Sequence, residues 1–413
     1  MVAPPVAVCY RDANLGSNAA VKWQEEPGWK FLAALKEVAI RELEQEPRSP
    51  GRWVSLIRIL KQMGRSGEVP EALDRASAAL GADPEGRRDF LGVLLRLSAY
   101  HRAIPVAEAL VAAAPDDAEA RRMLERAVIG SDRWSGLQRR ALAGTGTPPM
   151  AALSINQAWN LADTDSDFRA IAARCRAALA DNPIDTDARC FLAHALARTG
   201  EAADASAVMA IADLVRIEDL PVPAGYESGE AFRRALAAEI RRNDTLERDP
   251  KNKATRGGLQ TNGLGLPGEQ AVAALVEEIK AAVDRYRDSL DGSGDPFIAS
   301  APQTVQLYKW AVIYDATGYQ ISHRHPPGWL SGVYYVSAPR AADSASYRGS
   351  LLLGAPQAKV ATPPPWGIHP VEPVPGRIVL FPSFTPHATE PCGTGGERIS
   401  VAFDVLSAGR APT

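Results

Sequence analysis

The sequence predicts a multidomain α plus all-β protein, in which an N-terminal α-helical repeat domain precedes a jelly-roll barrel with flanking helices. From about residue 20 to residue 215, the chain is rich in Ala, Leu, Arg and Glu, with apolar residues at helical spacing. Beyond about residue 303, it turns into short β-branched and aromatic segments separated by Pro and Gly, a pattern typical of strands. We therefore predict a helical domain over residues 20–216 and a second domain over residues 217–413.

Composition excludes several classes of protein. A length of 413 residues is enough for two or three domains, and a net charge of −3 gives no electrostatic reason to expect nucleic acid or an anionic membrane as partner. The four cysteines show no CxxC spacing, and no stretch of 18 apolar residues could span a membrane. The first residues do not resemble a signal peptide. We expect a cytoplasmic protein.

Prolines recur at a nearly constant spacing in the helical half, where we expect them to end helices. Pro50 and Pro84 are 34 residues apart, as are Pro115 and Pro149, and Pro149 and Pro183; Pro84 and Pro115 depart from this period, at 31 residues. This period, with small residues in the second helix of each unit, resembles the tetratricopeptide repeat. Stacked helix pairs of this kind leave a concave groove that usually holds a peptide or another protein. The alternative is that the helices only scaffold the C-terminal half or join it into a homodimer.

Five strands are predicted in the C-terminal half, within a barrel of about residues 303–407. Their sequences are TVQLYKWAVIYDA, WLSGVYYVSA, GSLLLGA, GRIVLFP and RISVAFDVL. Short strands in such a compact region favour a double-sheet jelly roll. The segment before them contains the linker IEDLPVPAGYESGE, the Gly-rich loop ATRGGLQTNGLGLPG and two helices. That loop lacks the GK[ST] of a phosphate-binding loop.

Histidine is scarce in the chain, but two histidines lie one residue apart in ISHRHPPG. His323 and His325 share a face if this segment is a strand, and Arg324 then points away. A third histidine, His387, follows a later strand in FPSFTPHATEPC. Two ligands that are close in the sequence, together with one from a distant strand, can occupy one face of a metal's coordination sphere in a barrel. The sequence therefore predicts a metal site.

The last predicted strand supplies a candidate anion site. Arg398, Ser400, Ala402 and Asp404 alternate along one face, while the opposite face is apolar and can bury against the second sheet. A buried guanidinium is costly unless it has an anionic partner. A cosubstrate that carries a carboxylate would provide one. The alternative is an internal salt bridge from Arg398 to Asp404 or Glu397.

Together these motifs resemble the Fe(II)/2-oxoglutarate-dependent oxygenases. The segments GWLSGVYYVSAP, PVPGRIVLFPSFTPH and ERISVAFDV are similar to a bacterial branch of these enzymes that is often preceded by tetratricopeptide repeats. The resemblance covers residues 225–406. It implies a double-stranded β-helix enzyme that uses Fe(II), 2-oxoglutarate and O2.

The resemblance also implies roles for individual residues. His323 and His387 would bind iron, Arg398 and Ser400 would hold the far carboxylate of 2-oxoglutarate, and Tyr335 would donate a phenol hydrogen bond. Most of the family has His-x-Asp or His-x-Glu, so His325 stands where a carboxylate is expected. We predict that all three histidines bind iron. The alternative is that His325 lies beside the metal without binding it.

We interpret the protein as a hydroxylase of unactivated C–H bonds in a peptide or protein that the helical repeats help to recognise. Two alternatives stay open. The same chemistry could act on a small-molecule biosynthetic intermediate, or the chain could be a tetratricopeptide adaptor whose barrel binds a ligand or metal without turnover. The Arg-x-Ser strand weighs against the adaptor, because a scaffold gains nothing from a guanidinium that faces a cavity.

Overall fold

The computed structural model describes residues 21–23, 29–63, 65–130, 154–250, 253–265, 268–339, 348–357, 359–393 and 396–408. Its N-terminal part is helical, and each helix packs against the next one in the chain. These helices are α1 (Trp29–Gln45), α2 (Pro50–Gln62), α3 (Val69–Leu80), α4 (Pro84–Arg96), α5 (Tyr100–Ala113) and α6 (Ala118–Gly130). The assignment of tetratricopeptide repeats to this region stays a prediction.

Two of the period-marking prolines begin helices, so the expectation that they end helices is wrong at these positions. Pro50 and Pro84 lie in the first turn of α2 and α4. A proline is favoured there because its missing N–H has no helical partner to lose. Pro115 and Pro183 do follow helices. Pro149 lies outside the described residues.

Eight further helices precede or flank the sheet in the described part of the chain. They are α7 (Ile155–Leu161), α8 (Asp165–Asp181), α9 (Thr186–Arg198), α10 (Ala202–Met209), α11 (Ile211–Leu214), α12 (Gly229–Arg242), α13 (Gln270–Leu290) and α14 (Pro296–Ala299). Buried apolar side chains form one cluster within residues 39–128, and a larger one that joins helices α7–α14 to the sheet. The predicted division into residues 20–216 and 217–413 stays a prediction.

Eleven strands of the described residues form one curled, almost entirely antiparallel sheet. They are β1 (Lys22–Trp23), β2 (Arg216–Asp219), β3 (Glu247–Arg248), β4 (Thr255–Gln260), β5 (Thr304–His323), β6 (Gly328–Ser337), β7 (Leu351–Leu353), β8 (His369–Val371), β9 (Arg377–Pro382), β10 (His387–Thr389) and β11 (Arg398–Ser407). Their main order is β2-β9-β6-β11-β5-β10-β7-β8, with β4 on β5, β3 on β4, and β1 parallel to β5. The result is a half-barrel consistent with a jelly-roll core.

All five predicted strands form, as β5, β6, β7, β9 and β11. The Gly-rich segment is not only a loop, because β4 lies within it and pairs with β5. Gly258 of β4 lies opposite Tyr314 of β5, and a Cβ at residue 258 would lie 2.5 Å from the tyrosine ring. Glycine is therefore needed at this position so that the ring can approach the backbone of the neighbouring strand.

Candidate active site

Strand pairing brings the three predicted histidines together. His323, the last residue of β5, pairs in register with His387, the first residue of β10, and their ring centroids lie 4.3 Å apart. His325 lies two residues beyond the end of β5, and its ring centroid is 5.1 Å from that of His323 and 5.0 Å from that of His387. One ring nitrogen from each histidine lies within 4.8 Å of the others.

The Nδ1 atom of each histidine already has a partner. His323 Nδ1 lies 2.8 Å from the carbonyl oxygen of Ile321, and His387 Nδ1 lies 3.0 Å from that of Thr385. A carbonyl oxygen only accepts hydrogen bonds, so each Nδ1 carries the hydrogen and donates it. The lone pair of each ring is then on Nε2. This is the arrangement in which a histidine is oriented to bind a metal.

His325 is oriented by a carboxylate instead of a backbone carbonyl. Its Nδ1 lies 2.6 Å from Oδ1 of Asp404, which is 7% exposed. The hydroxyl of Ser331 donates to the same oxygen at 2.6 Å. Strand alternation in β11 predicts that Asp404 faces the cavity, but the sequence does not indicate its contact with a histidine 79 residues earlier.

Burial keeps two of the rings neutral. It lowers the pKa of His323 to about 3, and the nearby charge of His325 lowers the pKa further. Burial also lowers the pKa of His387 well below its usual value, with His323 and His325 adding to the shift. A metal binds only the unprotonated imidazole. Neither ring therefore needs to lose a proton before metal binding at neutral pH.

Arg398 is a buried cation with one unused donor. It is 2% exposed, and its Nη1 donates to the carbonyl oxygen of Gly349. Its guanidinium carbon lies 4.8 Å from the ring centroid of Tyr314. Its Nη2 is buried without a hydrogen-bond partner among the described residues. A buried donor of this kind is costly unless a ligand accepts its hydrogen bond.

The internal salt bridge considered for Arg398 is not what the structure shows. Asp404 accepts from His325 and Ser331, and Glu397 forms an ion pair with Arg241. Both candidate acidic partners are therefore engaged elsewhere. The guanidinium of Arg398 is left to face the cavity.

One cavity contains the histidines and Arg398. Its empty volume is about 480 Å³, counted with its opening to solvent. Ser400 and Tyr335, which pair in register on β11 and β6, line it as well. Burial raises the pKa of Tyr335 to about 12, so its phenol keeps its proton and can donate a hydrogen bond. All six predicted site residues thus share one cavity.

Other side chains divide between the cavity and the core. Trp310 lines the cavity, with its ring centroid 5.5 Å from that of His325, whereas Trp329 stacks on Phe297 in the core. Gln320 and Thr389 also line the cavity. The sequence reasoning missed these two, because polar residues near strand ends are too common to single out.

The residues present fit Fe(II) and a carboxylate-bearing cosubstrate. Three imidazoles are a suitable donor set for a first-row transition metal. The unpartnered Nη2 of Arg398 matches the carboxylate that a guanidinium prefers. The three imidazoles therefore fit a metal ion, and Arg398 fits a carboxylate-bearing ligand in the same cavity.

Comparison with known proteins assigns the class of enzyme. Residues 308–404 match the family model described as "Putative 2OG-Fe(II) oxygenase". The predicted resemblance to Fe(II)/2-oxoglutarate-dependent oxygenases is confirmed. The match indicates a 2-oxoglutarate-dependent Fe(II) oxygenase, a class of enzyme that uses Fe(II), 2-oxoglutarate and O2. No curated protein matches the chain.

Several solved structures are similar to part of the chain. A prolyl-4-hydroxylase from Pseudomonas putida is 21% identical, with a TM-score of 0.33 over 49% of this chain and 99% of its own. A prolyl hydroxylase from Trichoplax adhaerens, solved with a hypoxia-inducible-factor peptide fragment, is 14% identical, with a TM-score of 0.32 over 51% and 93%. HygX from Streptomyces hygroscopicus, solved with nickel and 2-oxoglutarate, is 14% identical, with a TM-score of 0.34 over 48% and 85%.

Among the described residues, no helix combines the length and apolar character that crossing a bilayer requires.

Proposed function

We propose that the protein binds one Fe(II) through His323, His325 and His387, and hydroxylates an unactivated C–H bond of a peptide or protein. The observation that supports the metal site is that all three histidine rings are oriented in the same way. Each is fixed through Nδ1, and the three come together at the meeting of β5 and β10. Bound there, Fe(II) and 2-oxoglutarate would supply the oxidising chemistry, in which one oxygen atom of O2 would go to the substrate and the other to the succinate that forms from 2-oxoglutarate with loss of CO2.

The remaining cavity residues would hold the cosubstrate. The Nη2 of Arg398, together with the hydroxyls of Ser400 and Tyr335, supplies donors for the carboxylate farther from the metal. Trp310 beside His325 would shield the reacting atoms from water and pack against the substrate. The protein thus contributes orientation and a dry cavity, while the cofactors supply the oxidation.

A groove in the N-terminal helices supports a peptide or protein as substrate. Helices α3, α4 and α5 line a concave space of about 1110 Å³, counted with its open side. Its walls are mostly small or apolar, with Asp74 and Arg87 as charged residues, and include Ala78, Gly81, Phe90, Pro105, Val106 and Ala109. An extended peptide can use such a surface, whereas a small metabolite would need only the barrel.

The test of this function begins with protein stripped of metal. Addition of Fe(II) and 2-oxoglutarate without oxygen is expected to give a weak visible charge-transfer band, and oxygen is then expected to give slow formation of succinate without substrate. His323→Ala and His387→Ala should abolish iron binding and activity. His325→Ala should weaken iron binding severely.

The outcomes separate the alternatives. If metal-loaded wild-type protein gives neither the band nor succinate, the barrel does not bind its cofactors in this way. Unchanged iron binding in His325→Ala would leave two histidines as ligands. His101→Ala, which replaces an exposed histidine of α5, is the control and should behave as wild type.

A further inference from the structure

We propose that Asp404 is a positioning residue of the metal site. It would hold His325 in the required orientation and tautomer, and would supply through that ring the negative charge that a bound carboxylate otherwise gives. This inference rests on the three-histidine site proposed above.

The contact between the two side chains fixes the tautomer. Oδ1 of Asp404 lies 2.6 Å from Nδ1 of His325, and an ionised carboxylate can only accept a hydrogen bond. The hydrogen is therefore on Nδ1, and Nε2 is the ring atom left for the metal. His323 and His387 are oriented by neutral carbonyl groups. Of the three rings, His325 is the one with a carboxylate behind it, which makes an imidazole a stronger metal ligand.

Neighbouring side chains hold the carboxylate itself in place. Ser331 lies opposite Asp404 in the β6–β11 pairing, and its hydroxyl donates to the same Oδ1 at 2.6 Å. The hydroxyls of Ser331 and Ser383 are 2.8 Å apart. The backbone N–H of His325 donates to the carbonyl oxygen of Ser383 at 3.1 Å. A closed ring of hydrogen bonds thus joins the histidine, the aspartate and two strands, as preorganisation requires.

The first measurement is metal affinity of the full chain, with Co(II) as the probe. Asp404→Asn keeps the shape and an acceptor oxygen but removes the charge. It is expected to weaken Co(II) binding by roughly 10–100-fold, the usual cost of losing an outer partner of a metal ligand. Co(II) absorption and competition with a chelating dye report this without any turnover. The control is Asp315→Asn on β5, an exposed carboxylate whose partner is Thr317, and it should bind Co(II) as wild type does.

A double-mutant cycle distinguishes positioning from a general effect on the fold. In the His325→Ala background, Asp404→Asn is expected to change Co(II) affinity little, because the ring through which it acts is gone. Ser331→Ala keeps the charge and loosens the carboxylate, so it should weaken Co(II) binding by a smaller factor. This variant also serves if Asp404→Asn fails to fold, as thermal unfolding of the metal-free proteins will show.

Three results would overturn the inference. One is wild-type Co(II) affinity in folded Asp404→Asn, or in Ser331→Ala if Asp404→Asn does not fold. A second is an equal loss of affinity from Asp404→Asn with and without His325. The third is unchanged affinity in His325→Ala, which would remove the proposed three-histidine site as well. The first two results would leave that site standing.

Discussion

At the scale of single residues, the site contains a buried cation, Arg398, that lowers the stability of the fold. Arg398 lies inside the barrel with Nη2 unpartnered among the described residues, and the acidic groups that could neutralise it bind other residues. Such an arrangement lowers stability unless a ligand completes it. A carboxylate ligand would therefore stabilise the protein, because it would accept the hydrogen bond that Nη2 of Arg398 does not otherwise make.

This leads to a prediction for Arg398→Gln. The substitution removes a charge-assisted hydrogen bond worth about 1.5–3 kcal/mol, so 2-oxoglutarate binding should weaken by roughly 10–150-fold. Co(II) binding should change little, because the histidines keep their partners. Calorimetric titration of 2-oxoglutarate into Co(II)-loaded protein measures the first quantity, and dye competition measures the second.

The matched control is Arg377→Gln, which removes an arginine from β9 that pairs with Asp219 outside the cavity. It should bind 2-oxoglutarate as wild type does. The same loss of affinity in both variants would mean that only the overall charge matters. Wild-type affinity in Arg398→Gln would assign the carboxylate to other donors.

At the scale of elements, helix α9 supports the segment that contains His323 and His325 from outside the barrel. Arg324, between the two histidines, points away from the cavity as predicted and donates to Asp187 at 2.9 Å and to Gln357 at 2.8 Å. The hydroxyl of Thr186 donates to the carbonyl oxygen of Gly328 at 2.8 Å. The position of the histidines is thus coupled to a helix more than 100 residues earlier in the chain.

A second ion pair joins α9 to Asp295, the residue before α14, and it predicts how stability depends on pH. Arg189 donates two hydrogen bonds of 2.7 Å to Asp295. Burial raises the pKa of this aspartate, but the hydrogen bonds and charge of Arg189 lower it more, so the net shift is downward. A lowered pKa in the folded state means that the stabilisation is present above the unfolded pKa of 3.8 and is lost as pH falls through the folded pKa.

We therefore expect Arg189→Gln to lower the free energy of unfolding at neutral pH by at most about 3–5 kcal/mol, the cost for a fully buried pair, because it leaves the part-buried carboxylate of Asp295 unpaired. The difference from wild type should shrink as the pH falls below about 4. Urea unfolding at several pH values measures both effects. Arg285→Gln, which breaks an exposed pair with Glu218, is the control and should cost less than about 1 kcal/mol. A difference that grows at low pH would contradict the assignment.

Strand prediction succeeded where local composition decides the structure and failed where distant pairing does. The five β-branched and aromatic segments all form strands. β2 lies partly in a segment predicted as linker, and forms because residues 216–219 pair with β9 about 160 residues later. Likewise, His323, His325 and His387 could be selected by residue type and spacing. The contact of His325 with Asp404 could not, because it depends on the register between β6, β11 and the turn that follows β5.

At the scale of the whole molecule, the barrel cavity and the α3–α5 groove lie on parts of the described chain that have different buried cores. The barrel cavity holds the proposed metal and cosubstrate residues, and the α3–α5 groove lies on the helices whose core is separate. This separation allows the groove to be altered without changing the oxidation chemistry.

Filling the groove tests the proposed substrate class. Ala78 and Ala109 are exposed on α3 and α5, so Ala78→Arg and Ala109→Arg should fill the groove without disturbing the core. With a random decapeptide library as the probe, both variants should lose oxygen addition to peptides that wild type oxidises, and keep substrate-free succinate formation. Mass spectrometry detects the added oxygen, and Ala203→Arg on α10 is the control.

Two results would argue against a role for this groove. Wild-type peptide oxidation by both variants would show that the helices do not recognise the substrate. A wild-type enzyme that forms succinate but oxidises no peptide in the library would favour a small-molecule substrate.

The position of β11 has a consequence for biosynthesis. Helices α1–α6 make contacts between near neighbours, so they can fold while the rest of the chain is still being made. The barrel cannot, because β11 is the last strand of the sheet and its neighbours β5 and β6 emerge from the ribosome much earlier with unpaired edges. His387, Arg398 and Asp404 also arrive late. A nascent chain that has not yet reached β10 contains His323 and His325 but not His387, so we expect the proposed metal site to be complete only after β10 and β11 have paired with β5.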